Sequence, residues 1–108
     1  MAFLDLIWRL ERLQGPERQL DEELAAALEW SKKHEYVTAP AFTNSIDDAI
    51  ALMNEVAPSD RWGVGFADGK GSGLVEDEAY TEGPNVAIAL CIVSLKAMLR
   101  RNGQKLEG

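Results

Sequence analysis

Apolar residues recur along the start of the chain at the spacing of one helical face. Phe3, Leu6, Ile7, Leu10 and Leu13 follow the i, i+3, i+4, i+7 pattern, which predicts a helix over 3–14. Gly15-Pro16 ends it and opens a second helix, glycine suiting the C-terminal cap and proline the first turn. The second helix extends to about Leu28, with Leu20, Leu24, Ala27 and Leu28 on one stripe. Glu17, Asp21, Glu22 and Glu23 gather near its N-terminus, where the macrodipole favours negative charge.

Residues 29–43 lack such a period. Trp30 reads as an anchor, Ser31-Lys32-Lys33-His34-Glu35 as a solvated turn, and Tyr36-Val37-Thr38 as a very short strand before Pro40. Ser45 with Asp48 has capping-box spacing, aspartate standing in for the usual glutamate, and predicts a third helix. That helix presents Ile46, Ala49, Ile50, Met53 and Val56 inward and stops before Pro58.

Trp62, Val64 and Phe66 then alternate with Gly63, Gly65 and Ala67, a strand with one large face and one nearly bare face. Asp68-Gly69-Lys70-Gly71-Ser72-Gly73 is turn chemistry, and Leu74-Val75-Glu76 begins a return strand. The bare face is expected to admit the final helix close to the strand backbone. That helix starts near Pro84 and ends at about Asn102, with Gly103 as its cap. Its first half is apolar all round, which predicts burial on several sides. The fold class expected is α+β: a small antiparallel sheet with helices packed on it. It forms one domain over 1–104, with a C-terminal tail over 105–108.

Composition adds few constraints. The 108 residues are 46% hydrophobic and 27% charged, ordinary values for a globular domain. A single cysteine excludes an internal disulfide and fits a reducing compartment, here taken as the cytoplasm. Cys91 lies within the eight-residue apolar run Val86–Val93, too short to span a membrane and suited to a buried thiol. A signal peptide is not expected, because the apolar N-terminus lacks a basic flank and carries Asp5. The formal net charge of −7 disfavours direct nucleic-acid binding and is compatible with a basic protein partner.

Familiar chemical motifs fail on spacing. Around Gly69-Lys70, a phosphate-binding loop would need glycine at residue 64 and a hydroxyl at residue 71, where Val64 and Gly71 stand. Gly63-x-Gly65 has no third glycine at residue 68, so the dinucleotide pattern fails too. Glu76, Asp77, Glu78 and Glu82 lack any recognised cation-loop spacing, and His34 is the only histidine. No catalytic residue, metal site or cofactor is assigned, and no enzyme activity is expected. The feature that stands apart is Leu4 with Trp8 on the first helix. Both project away from the apolar stripe, Trp8 nearly opposite its centre at about 100° per residue. They are the candidate contact residues for a protein partner or a second copy.

Three segments taken in order also resemble the phage ABA-sandwich family of small phage and prophage accessory proteins. They are Leu13-Gln14-Gly15-Pro16-Glu17-Arg18-Gln19-Leu20-Asp21-Glu22-Glu23-Leu24, Ser45-Ile46-Asp47-Asp48-Ala49-Ile50, and the stretch from Gly83-Pro84 to Leu95 that includes Leu90-Cys91-Ile92. The likeness covers about residues 3–100, with Gln19 and Gly83 departing from the usual glutamate and threonine. It implies an α/β/α sandwich of phage origin and no transferable catalytic residue.

Two functions are therefore expected. The first is an acidic phage accessory protein that binds a host protein, in its specific form an inhibitor of a defence complex such as a CRISPR effector. The alternative is a small-ligand or nucleotide binder, with Gly63, Gly65 and Lys70 as its site.

Overall fold

The computed structural model describes residues 3–34, 38–76 and 78–103. Its organising element is helix α5, Val86–Arg101, against which α1 (Phe3–Glu11), α4 (Ile46–Val56) and a three-stranded sheet all pack. Packing from several directions explains the sequence of α5: Ala87 to Leu95 is buried without interruption, as are Ala97 and Leu99. Asn85 caps the helix, its Oδ1 accepting the Ile88 N–H at 2.7 Å. At the other end Gly103 takes a positive φ of 80°, the left-handed conformation that glycine adopts without penalty.

Helices α2 (Arg18–Ala27) and α3 (Trp30–Lys33) complete the helical part. Leu6, Ile7 and Leu10 of α1 join Leu20, Leu24 and Ala25 of α2 and Trp30 of α3 in one core with α5. The stripes read from the sequence for the first two helices are thus the buried ones. At about 25 cal/mol per Å² of apolar surface, burial on this scale is the main term favouring the fold.

A polar cluster ties the loop before α4 to the starts of α2 and α5. Asp21 is almost fully buried; its Oδ1 accepts the Thr43 N–H at 2.8 Å, and the Arg18 guanidinium lies 3.3 Å from its Oδ2. Thr43 Oγ1 in turn accepts the Glu17 N–H at 2.9 Å, and the Thr43 carbonyl accepts from Asn85 Nδ2 at 3.0 Å. Satisfied in this way, buried polar groups fix the loop's position at little cost. The capping box at α4 is half made: Ser45 Oγ accepts the Asp48 N–H at 3.2 Å, but Asp48 Oδ2 accepts from Ala41 N–H at 2.8 Å. The Ser45 N–H donates instead to the Ala41 carbonyl.

Strands β1 (Trp62–Ala67), β2 (Lys70–Val75) and β3 (Thr81–Gly83) form an antiparallel sheet in that order. Asp68 and Gly69 join the first two with φ values of 53° and 76°, the backbone of a two-residue primed hairpin turn. This turn sets Phe66 opposite Gly71, Val64 opposite Gly73 and Trp62 opposite Val75. Opposed residues share a face, so the large side chains of β1 lie on the same side as Gly71 and Gly73. It is that side which receives α5. A Cβ on Gly71 would stand 2.2 Å from the Asn85 carbonyl carbon, one on Gly73 3.1 Å from Ala89, and one on Gly83 3.3 Å from Ala89.

The chain is therefore α+β, with helices packed on a small antiparallel sheet. The layers run sheet, then α5, then α1 and α4 on α5. Several local expectations are corrected. The helix approaches Gly71, Gly73 and Gly83, whereas a Cβ on Gly63 meets nothing within 4 Å and one on Gly65 meets only the Ser72 hydroxyl. Residues 30–33 form a helical turn, with Trp30 buried as the expected anchor and Ser31 to His34 exposed as the expected solvated segment. On α4, Leu52 joins Ala49 and Met53 as the buried residues and Ile46 is exposed, so the inward face is rotated from the one expected. The third strand comes from Thr81–Gly83; Tyr36 and Val37, read as a strand, lie outside the described residues, as does the tail over 105–108.

Candidate interaction surfaces

Helix α1 buries one stripe and leaves another in solvent. Leu4 and Trp8 lie one turn apart on that outer stripe, 42% and 52% exposed. Arg12, one turn further on, places its guanidinium carbon 3.8 Å from the Trp8 ring centroid, a cation–π contact. Neighbouring Arg9 is held by Glu23 of α2 through both carboxylate oxygens, the Nη2 contact measuring 2.8 Å. A two-pronged arginine–carboxylate pair fixes the orientation of α1 on α2 and thereby the direction in which Trp8 points. Asp5 and Glu11, both exposed, flank the stripe. Trp, Arg and Leu in a row, bordered by acids, have the chemistry of a contact patch.

Gly63, Gly65 and Lys70 do share one face of the sheet, the face turned away from α5. Ala67, Ser72, Leu74 and Glu82 lie there too, and the described helices leave it uncovered. Lys70 Nζ sits 4.0 Å from Glu82 Oε1. The recess of about 520 Å³ beside Lys70 is lined by Leu13, Gln14, Gly69, Glu82, Gly83 and Pro84. Gly63 and Gly65 are not part of it, so the three residues read together as a ligand site stand on a shared, open surface.

A third surface escaped the sequence reading. Trp62, Val64 and Phe66 were read as the large face of a strand whose bare face takes the helix, with no role of their own; all three are exposed, Phe66 to 64%. The reason is that α5 lies over β2 and β3 and hardly touches β1, which overhangs it. The signal was present: glycines at 71 and 73 fall opposite Phe66 and Val64 once a two-residue turn is placed at Asp68-Gly69. A helix seated against those glycines cannot also sit over the bulky strand beside them.

Most other chemistry-bearing groups singled out in the sequence have structural partners, while the buried Ser94 Oγ has no hydrogen-bond partner. Glu78 is buried and bonded to Arg100 Nε at 2.9 Å, and Glu76 pairs with Arg101. Tyr80 donates to Glu82 at 2.7 Å, while Asp77 lies outside the described residues. His34 stacks on Trp30 with ring centroids 4.1 Å apart and reaches Glu55 at 3.1 Å. Cys91 is fully buried, its thiol pushed up from the ordinary value chiefly by desolvation, and contacts the Phe42 carbonyl at 3.4 Å. Among the described residues, no group of His, Cys, Asp and Glu is arranged to hold a metal ion. No described helix is long and apolar enough to cross a membrane. No family model, curated protein or solved structure matches the chain.

Proposed function

We propose that the protein works by binding another protein through Leu4 and Trp8 on the outer stripe of α1, with Arg12 just past its end. The observation that carries this reading is the half-exposed Trp8 ring under the Arg12 guanidinium, oriented by the Arg9–Glu23 pair. Tryptophan and arginine are the residues most enriched among energetic hot spots, and an exposed indole on a monomer leaves apolar surface uncovered. Charge selects the partner. A chain of net charge −7 associates fastest with a basic surface, and the acids beside the stripe favour the same choice. The occupant we propose is the basic surface of a nucleic-acid-binding host protein. The specific form of this reading is inhibition of a host defence complex, which small size, acidity and the Trp8 patch suit.

The test is a tagged capture from bacterial lysate, with the wild type and Trp8→Glu compared side by side. The expected result is one stoichiometric basic protein, released by salt and lost in Trp8→Glu while the variant's circular dichroism is unchanged. A partner retained by Trp8→Glu, or one that is itself acidic, would sink the proposal. Loss of the fold in that variant would show that Trp8 serves the core; Leu4→Glu then repeats the test on the same stripe.

A further inference from the structure

We infer that β1 is a dimerisation edge, at which a second copy of the chain adds its own β1 in antiparallel pairing. This inference does not depend on the α1 stripe. It starts from the hairpin turn. A two-residue loop is closed by a hydrogen-bonded pair, here Ala67 and Lys70. Bonded and non-bonded pairs then alternate along the ladder. Gly65 and Gly63 turn their backbone groups toward β2, and the Glu76 N–H donates to the Arg61 carbonyl at 2.7 Å in continuation of the pattern. The N–H and C=O groups of Trp62, Val64 and Phe66 therefore point the other way, onto the outer edge of the sheet. No described strand lies there, since the order is β1-β2-β3.

The same three residues thus offer both unpaired backbone and exposed apolar side chains. Sheet edges on monomers are ordinarily blunted by charge, proline or a bulge. Trp62–Ala67 carries none of these: its six residues include no charged side chain and no proline, and its register with β2 is unbroken. The overhang beyond α5 leaves room for a further strand.

The register argues for a second copy as the occupant. A twofold axis through Val64 sets Val64 against Val64 of the partner subunit and Trp62 against Phe66 of the partner subunit. Phe66 meets the partner subunit's Trp62. Every large side chain falls opposite another on one face, giving aromatic pairs at both ends of the contact. Such self-complementarity is what an isologous interface requires. The joined sheet would have six strands. The same axis brings Asp60 near Asp68 of the partner subunit, and both copies carry net negative charge. Association should therefore tighten as salt rises.

Sedimentation velocity on the full chain, at low and high salt and up to millimolar concentration, tests this. The expected result is a dimer strengthened by salt and by Asp68→Asn, which keeps a residue tolerant of the positive φ. Val64→Lys should weaken it about tenfold or more, equivalent to about 1.4 kcal/mol, with unchanged circular dichroism. Should that variant misfold, Phe66→Lys replaces it. Val64→Cys should cross-link through a short bis-maleimide, since a bonded antiparallel pair sets Cα atoms about 5.5 Å apart, with the Cβ atoms beyond the span of a relaxed disulfide. Leu74→Cys, on the opposite face of β2, should not. A chain monomeric in both salts would overturn the inference. So would a dimer indifferent to Val64→Lys and Phe66→Lys, or one that cross-links equally through Leu74→Cys.

Discussion

Gly71 stands directly against the backbone at Asn85, so close that a Cβ there would lie 2.2 Å from the Asn85 carbonyl carbon and 2.3 Å from the Val86 nitrogen. Both opposing atoms are backbone at the start of α5, where Asn85 also caps the helix. Neither side can yield without moving the sheet or the helix.

Gly71→Ala should accordingly destabilise the protein by about 3 kcal/mol or more, the range of overpacking with backbone displacement. Gly63→Ala, with nothing within 4 Å, should change stability by no more than about 0.5 kcal/mol. Urea unfolding of the two variants decides the matter. Equal midpoints would mean that α5 does not seat on β2 as described.

Asp21 offers a second test. Replacing it by alanine strands the buried Thr43 N–H and removes one of the acceptors of Arg18, which keeps the Pro40 and Ala39 carbonyls, a loss of about 2–3 kcal/mol. Asp21→Asn keeps an oxygen for Thr43 and should cost about 1 kcal/mol. If both variants unfold at the same denaturant concentration, the charge and not the Thr43 bond is what matters.

Glu29 follows the C-cap of α2 in the left-handed conformation, φ 53°, where glycine is the favoured residue. Glu29→Gly should raise stability by about 0.5–1 kcal/mol, the exposed Lys32 ion pair offsetting little of it. A few degrees' rise in melting temperature is the expected reading. A fall would show that the Glu29 side chain contributes more than its backbone conformation costs.

Acid should weaken the fold in a defined way. Hydrogen bonds from Arg9, Lys33 and Arg101 hold the carboxyls of Glu23, Glu55 and Glu76 below the ordinary value of 4.5. Folded values below unfolded ones mean that the unfolded chain takes up protons first. The stabilisation is therefore complete above pH 4.5 and disappears as pH falls through the lower folded values. The urea midpoint should drop across that window, and less steeply in Glu76→Gln. A midpoint that rises on acidification contradicts the pairing.

How much of this was legible in the sequence depends on the range of the signal. The helices at Phe3–Glu11, Arg18–Ala27 and Val86–Arg101 follow from local period and caps, and each formed close to where it was expected. Leu4 and Trp8 were readable as outward-facing because their angle to the buried stripe is a property of one helix. What was not legible depends on partners distant in sequence. Which glycines receive α5 is decided by the register of β2, and the exposure of Trp62, Val64 and Phe66 follows from that. Asp21 read as a helix-start charge; its role in holding Thr43, far along the chain, has no local sign.

That α5 lies at the centre has a consequence for the order of synthesis. The elements that pack on it, α1, α4 and the strands, all precede it in the chain. A nascent chain emerging at about 5–20 residues per second therefore presents their apolar faces before the helix that covers them exists. Until residues 86–101 leave the ribosome, those faces have only each other or a chaperone to meet. Folding of this domain should begin late and then proceed as one event, with nascent chains ending before Val86 captured by chaperones or degraded.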